Sequence, residues 1–393
     1  MTKKVIIVAG TSFVGQRFLR YFHHYFKENQ IEVLVTARDL NKLNNLLKDL
    51  EHYKGHQLDS LNRNDVQRVI KDAFLVVNFA GPYDLYSENI IEACARGGIH
   101  YLDITGEVNF SKRMMNLYEK DALQNKCSII SFAGFDSVPS DYAVYLASKF
   151  AQQNHSQLKS VDIIYKLKGG INGGTIRTGF DMSKKLSEKE VSDRNYLTPK
   201  SAFYQADLNF KRFIKEKDLW VSPFFMESIN SKVIYRSLYL TNSKSISEDF
   251  SFRESIVIPG GSLINSCYTI LNHQLSRALK NNLSSSFMRF VLPKPGDGPS
   301  EDSIESGFVK GIIIARLENG ITAEAKLKCP GDPGNKATIK FLGSIMKVLL
   351  NEDSLKCGFL TPSTACQERV FTYFKEEGIE FSPFQKEISP ATS

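Results

Sequence analysis

Val5-Ile6-Ile7-Val8 is a continuous apolar run of strand length, closed by Gly10. A run without alternation suits a strand buried on both faces of a parallel sheet. Val14, Phe18, Phe22 and Phe26 then recur four apart, which lays one apolar stripe along a helix. Residues 31–37 supply the next strand. The alternation continues with a helix near 41–50, a strand ending near Leu58, a helix over 64–72, a strand over 74–79 and a helix over 87–95. Apolar runs near 99–104 and 128–132 predict two more strands, separated by a helix carrying Met114, Leu117 and Leu123. A helix over about 140–150 closes the series. This βαβα rhythm predicts an α/β fold with a doubly wound parallel sheet.

After Ser156 the rhythm changes. Runs at 161–167, 233–240, 252–258, 309–317 and 321–327 read as strands in succession. Glu318-Asn319-Gly320 predicts a hairpin, because Asn-Gly accepts the positive φ of a type I′ turn. The region is expected to form an α+β domain on an antiparallel sheet, and residues 184–232 read as a polar, irregular excursion or lid. Residues 336–350 are helical again, with Ile339, Leu342, Ile345, Met346 and Leu349 along one side.

Composition adds bounds. The 393 residues allow two or three domains. A net charge of +7 is modest and scattered, so no nucleic-acid footprint is expected, while weak attraction to anionic cofactors or a membrane surface is allowed. No apolar run approaches the ~20 residues of a spanning helix, and the N-terminus lacks a signal-peptide cleavage region. The six cysteines have neither disulfide-motif nor zinc spacing. They read as reduced thiols of a cytoplasmic protein, with Cys94 packed in the core and no metal site.

Gly10-Thr11-Ser12-Phe13-Val14-Gly15 joins a strand to a helix. Such a turn lets the backbone approach a dinucleotide's diphosphate, whose charge the helix N-terminus stabilises. The middle glycine of the usual pattern is replaced by Ser12, whose hydroxyl must then donate to a phosphate oxygen. The bland alternative is a tight turn that binds no nucleotide. Thr36-Ala37-Arg38 ends the second strand. A guanidinium there pairs with a 2′-phosphate, which favours NADP(H) over NAD; a solvated Arg38, or Asp39 on the ribose of NAD, is the competing reading. Asp59 either holds the adenine amine or begins a turn. Asn78-Phe79-Ala80-Gly81-Pro82-Tyr83 ends the fourth strand at the carboxyl edge, where ligands of open α/β sheets sit.

The loops of that edge also offer Tyr83, Tyr86, Asp103, Thr105, Glu107, Asp136, Ser137 and Asp141. Any one of these has a structural explanation: Glu107 favours a helix start, and Ser140 caps one. As a cluster at one edge they are candidates for proton donation and acceptor binding. The exposed N–H groups of the helix after Ser137 suit a substrate carbonyl or carboxylate. Gly173-Gly174-Thr175 precedes a second candidate helix that suits the same role. Lys294, fixed between two prolines, either faces a cleft or lies in a constrained surface loop. Arg236 is either an anion holder or a strand arginine on a wet face.

Five segments occur in fixed order: Asn78 to Tyr83, Tyr101-Leu102-Asp103-Ile104-Thr105-Gly106-Glu107, Ala133-Gly134-Phe135-Asp136-Ser137-Val138-Pro139-Ser140-Asp141, Leu292-Pro293-Lys294-Pro295-Gly296 and Gly331-Asp332-Pro333-Gly334. With the N-terminal turn, they resemble the saccharopine dehydrogenase-like oxidoreductases, including the trans-acting enoyl reductase branch, from near residue 5 to near residue 375. The resemblance implies a Rossmann-type dinucleotide domain over 1–155, an inserted substrate or dimerisation domain over 156–330, and a C-terminal segment over 331–385 that packs back on the first. It also implies that Ala80, Gly81, Pro82 and Tyr83 run along the cofactor, and that 134–141 lies at the active cleft. The expected site residues are Tyr83, Asp136 and Lys294 for catalysis. The expected acceptor-binding set is Glu107, Asp136, Ser137, Gly174 and Thr175. The expected activity is NADPH-dependent hydride transfer to an activated double bond of a lipid-like acyl intermediate, with a homodimer and peripheral membrane contact allowed. A saccharopine-type reaction at a carbon–nitrogen bond and a non-catalytic nucleotide-holding scaffold are the alternatives.

Overall fold

The computed structural model describes residues 3–169, 190, 192–199, 213–214, 219–242, 244–257 and 298–386. Six strands alternate with helices at the start: β1 (Lys4–Val8), β2 (Glu32–Ala37), β3 (Lys54–Gln57), β4 (Leu75–Asn78), β5 (His100–Asp103) and β6 (Ser128–Ile130). β7 (Leu158–Lys168), β8 (Phe213–Ile214), β9 (Leu219–Pro223), β10 (Ile246–Val257), β11 (Phe308–Leu317) and β12 (Thr322–Pro330) follow. The C-terminal segment adds β13 (Gly358–Leu360), β14 (Glu380–Phe381) and β15 (Gln385–Lys386).

The first sheet runs β13-β6-β5-β4-β1-β2-β3, with every pair parallel. Strand order reverses between β1 and β4, and a crevice opens beyond the carboxyl ends at such a switch point. The unbroken apolar run of β1 follows from burial on both faces. Val5 and Ile7 enter a core with Phe18 and Phe22, while Ile6 and Val8 enter a second core with Ile90 and Ile91. The aromatic stripe of the first helix is buried as expected, but the helix breaks at Phe22 into Phe13–Tyr21 and His23–Glu28. Cys94 is fully buried.

The second sheet runs β14-β12-β11-β7-β10-β9-β8, with β15 paired to β12. It is mixed rather than antiparallel: β7 and β10 run parallel. The long connection between them contains the helix Glu227–Thr241, and parallel pairing needs such a crossover. That helix overturns the reading of 233–240 as a strand. Ile229, Val233, Ile234, Tyr235 and Leu238 are all buried in it, so no single apolar stripe marks its period. The irregular reading of 184–232 is likewise corrected at its end, where β9 forms. The β11–β12 hairpin is present, but only Gly320 takes a positive φ, of 86°. The loop is therefore a three-residue one rather than type I′. The tail contributes strands to both sheets, β13 beside β6 in the first and β14 and β15 beside β12 in the second. The helix Thr338–Asn351 lies between, almost wholly buried. No helix among the described residues is long and apolar enough to cross a membrane.

Candidate active site at the carboxyl edge of the first sheet

The turn after β1 is built for close approach. A Cβ on Gly10 would stand 2.3 Å from Val35 Cγ1, and one on Gly15 2.8 Å from both Ala9 O and Ser12 Oγ. Ser12 caps the helix Phe13–Tyr21, with Gly15 N–H donating to its Oγ (3.1 Å). Accepting that bond leaves the hydroxyl proton free to donate. The remaining first-turn N–H groups have no intrahelical acceptor and form the positive end of the helix. Thr11 lies within this turn, and Val14 packs against the core. Phe13 carries the Arg17 guanidinium over its ring at 3.7 Å. A Cβ on Gly298 would stand 2.1 Å from that same ring, so the chain emerging after the Leu292–Gly296 motif lies against this turn.

Arg38 is exposed at the end of β2. Its guanidinium stands 5.1 Å from the ring centre of Tyr86, a cation held over an aromatic face. Asp39 caps the helix Leu40–Leu47, accepting from Lys42 N–H at 3.0 Å. Asp59 accepts from Leu61 N–H at 3.0 Å, the geometry of a turn.

The end of β4 is held from within. Asn78 Nδ2 donates to Ser87 Oγ (2.8 Å) and Tyr101 Oη (2.9 Å), and its Oδ1 accepts from Ala80 N–H (2.9 Å). Glu107 grips the loop after Pro82, accepting from Tyr83 N–H (2.9 Å) and Asp84 N–H (3.0 Å). Glu107 thus shapes the loop instead of standing ready for an acceptor. Tyr83 is buried, and its hydroxyl donates to Asn78 O at 3.2 Å. Burial, with Asp103 and Glu107 nearby, raises its pKa well above the usual range, so it is a poor proton donor. Gly81 is different: an added Cβ would meet only ordinary contacts with the Tyr83 ring. The fold itself has no steric need for a glycine there, which fits a backbone left bare for a ligand.

Asp103 ends β5, fully buried. It accepts from Tyr101 Oη (2.8 Å), Thr105 N–H (3.1 Å) and Ser131 Oγ (3.3 Å). Burial outweighs those bonds and pushes its carboxyl up to about 7. Asp136, in the loop between β6 and the helix Val138–Gln153, is half-buried and has no hydrogen-bond partner among the described residues. Burial alone pushes its carboxyl up to about 6. It can hold a proton near neutral pH and release it to a neighbour.

Directly beneath lies a polar network that reaches far along the chain. Ser137 Oγ donates to Asn230 Oδ1 (2.8 Å), and Asn230 Nδ2 donates to Glu254 Oε2 (2.8 Å). Ser140 bonds both Glu254 and Tyr165. Asp141 accepts from Ser237 Oγ (2.5 Å), Ser363 N–H and Ser363 Oγ (both 2.8 Å). Burial raises Asp141 to about 6 and Glu254 to about 8. Ser137, expected to bind the acceptor, has its hydroxyl engaged by Asn230 inside this network. The Gly331–Gly334 motif is structural as well: Asp332 caps the turn Pro333–Ala337 and packs against Gly169 and Gly307.

Asp136, Glu107, Ser137 and the Ala80–Tyr83 loop thus gather at one edge, and Lys294, Gly174 and Thr175 lie outside the described residues. Sequence reading missed Asn230, Ser237, Glu254 and Thr361. Arg236, expected on a strand, stands on the helix Glu227–Thr241 and is 7% exposed. Among the described residues no cluster of three metal-binding side chains occurs.

Residues 6–129 match the family model described as the saccharopine dehydrogenase NADP binding domain. A protein of Mycobacterium tuberculosis, provisionally named a trans-acting enoyl reductase, is 27% identical over 95% of this chain and 96% of its own. The trans-acting enoyl reductase of Mycobacterium leprae is 24% identical over the same shares. A lipid droplet localized protein of Caenorhabditis elegans is 25% identical over 60% of this chain and 59% of its own. Apo saccharopine dehydrogenase (L-Glu forming) of Saccharomyces cerevisiae shares the fold, at a TM-score of 0.58 and 12% identity over 98% of this chain and all of that one. Homospermidine synthase of Legionella pneumophila, solved with NAD, aligns at a TM-score of 0.54 and 10% identity over 100% of this chain and 93% of its own. The chain is an NAD(P)-dependent oxidoreductase with the saccharopine dehydrogenase fold, similar over residues 6–129 to the saccharopine dehydrogenase NADP binding domain and along nearly its whole length to the trans-acting enoyl reductases.

Proposed function

We propose that this protein is an NADPH-dependent reductase acting on an activated carbon–carbon double bond of a lipid-like acyl compound. The observation that carries the reading is Asp136: a carboxyl at the sheet's carboxyl edge with no hydrogen-bond partner among the described residues, able to hold a proton near pH 6. A nicotinamide dinucleotide, when bound, supplies the hydride. The chain's own residues bind, orient and protonate. Ser12 Oγ–H and the first-turn N–H groups after it receive the diphosphate, and Arg38 receives the 2′-phosphate. Ala80 to Pro82, braced by Glu107, line the path toward the nicotinamide. Asp136 gives its proton to the carbon that does not take hydride. Neither Tyr83 nor Ser137 enters this scheme, because each hydroxyl is committed inside the fold.

The acceptor class draws on the relatives named trans-acting enoyl reductase, which match over nearly the full chain. The relative named for lipid droplets supports acceptors presented at a lipid surface. In this reading residues 1–155 hold the cofactor, 156–330 face the acceptor, and 331–385 tie the two together. The test is NADPH oxidation with a panel of α,β-unsaturated acyl thioesters. Turnover with a thioester and none with an imine is expected. Turnover with an imine alone moves the chemistry to a carbon–nitrogen bond. Tight NADPH binding with no acceptor at all leaves a scaffold.

A further inference from the structure

Asp136 stands in a loop pinned on both flanks by distant parts of the chain. Every residue from 131 to 144 is buried except Asp136. Before it, Phe135 N–H donates to Thr338 Oγ1 at 3.3 Å, and a Cβ on Gly134 would stand 3.2 Å from Thr338 Cγ2. Thr338 opens the buried helix Thr338–Asn351, and its own hydroxyl donates to Pro333 O at 3.0 Å. After it, Ser137 Oγ donates to Asn230 Oδ1 at 2.8 Å. Asn230 is fully buried on the helix Glu227–Thr241. Glu254 decides which end of that amide faces Ser137, because its Oε2 accepts from Asn230 Nδ2 at 2.8 Å. The Phe135 ring packs against Tyr165 and Phe224, with centroids 6.0 and 6.4 Å away.

Neither strut bonds the Asp136 side chain. They hold its two neighbours, from 203 and 93 residues away in sequence. A proton donor must stand within hydrogen-bond reach of the atom it serves, and a misplacement of about 1 Å costs about 100-fold in rate. We infer that Thr338 and Asn230 are positioning residues, which hold the 134–137 loop from opposite flanks so that the Asp136 carboxyl is presented to the acceptor. The inference rests on the reading of Asp136 as the proton donor. Loosening either flank should also change the acid. Burial alone raises the carboxyl from 3.8 to about 6, and a loop that swings outward returns it to water and lowers it.

The test uses the full-length protein with Thr338→Val, which removes one strut, and Ser137→Ala, which removes the contact that Asn230 makes. Each should lower kcat with an α,β-unsaturated acyl thioester by about tenfold to 100-fold, with NADPH affinity unchanged. The falling limb of the pH profile should move below 6 in both. Without cofactor, carbon NMR of the aspartate carboxyls, assigned with Asp136→Asn, should show Asp136 titrating near 6 in the wild type and lower in both variants. Thr338→Ser keeps the hydroxyl and should restore rate and titration. A loss of stability alone moves neither the limb nor the titration. Slow reduction by Asp136→Asn, with wild-type rate and titration in Thr338→Val and Ser137→Ala, overturns the inference and leaves the proton-donor reading standing. Reduction by Asp136→Asn as fast as by the wild type sinks that reading, and the inference with it. A wild-type carboxyl that titrates near 3.8 overturns the inference whether or not the variants fold.

Discussion

The two ends of the first sheet's carboxyl edge are built on different principles. Beyond β1, β2 and β3 the polar side chains serve their own neighbourhood. Ser12, Asp39, Asp59 and Asn62 each accept from a backbone N–H two or three residues on, and Arg38 stays exposed. Beyond β6 the polar groups reach across the chain, Ser137 to Asn230, Ser140 to Glu254, and Asp141 to Ser237 and Ser363. At the near end these local bonds fix a half-buried turn beside the exposed Arg38, which in the proposed function receives phosphate charge. At the far end carboxyls are desolvated until they hold protons near neutrality. Recognising a dianion needs donors at the surface, whereas exchanging a proton needs burial. In the proposed function one sheet edge serves both by dividing them between its ends.

Four substitutions probe that division, taken from the largest expected effect to the smallest. Gly15→Val puts carbon against Ala9 O and Ser12 Oγ, where a Cβ alone already stands at 2.8 Å. It should abolish NADPH binding in calorimetry and lower stability by about 1–3 kcal/mol or more. Retained NADPH affinity would remove the turn as the diphosphate site. Asp136→Asn should lower kcat by about 100-fold or more, the usual worth of a positioned acid, with NADPH affinity unchanged. In the wild type only the protonated carboxyl donates, so the rate of reduction should fall as pH rises through about 6. That limb should vanish in the variant; its persistence would assign the proton to another group. Arg38→Ala should weaken NADPH by about tenfold and leave NADH as it was, the loss of one charged hydrogen bond. Equal loss of both coenzymes would contradict a 2′-phosphate role.

Glu254→Gln touches the far end without touching the cradle. Glu254 rises from 4.5 to about 8 on folding. The native state therefore keeps a proton that the unfolded chain has released, and this group's contribution to stability declines as pH rises from 4.5 to 8. Asp103 and Asp141 act in the same direction. Urea melts should show Glu254→Gln gaining stability relative to the wild type between pH 5 and pH 8.5. Parallel stability profiles for the two proteins would mean that the carboxyl is not held protonated.

The same division explains what could be read from the chain alone. The βαβα rhythm, the glycine turn and Arg38 are local signals, with spacing and neighbours in one stretch of sequence. Asp136 was visible as a carboxyl in a Gly-Phe-Asp-Ser loop. Its lack of a hydrogen-bond partner among the described residues was not, since that depends on what else packs around the loop. Ser137 looked available because nothing nearby in sequence claims its hydroxyl, and Tyr83 because its partner, a backbone carbonyl five residues back, leaves no mark in the pattern of side chains; Asn230 and Asn78 O claim them in the fold. Glu254 and Ser237 bond partners 114 and 96 residues away, so no local pattern marks them. The helix Glu227–Thr241 was misread for a related reason: burial on several sides removes the polar face that reveals helical period.

The most direct test is a structure of the protein with NADPH bound. The account predicts the diphosphate on the turn Gly10 to Gly15, the 2′-phosphate at Arg38 and the nicotinamide beside the Asp136 carboxyl. A diphosphate bound elsewhere, or a nicotinamide ring separated from Asp136 by the Ala80–Tyr83 loop, would contradict it.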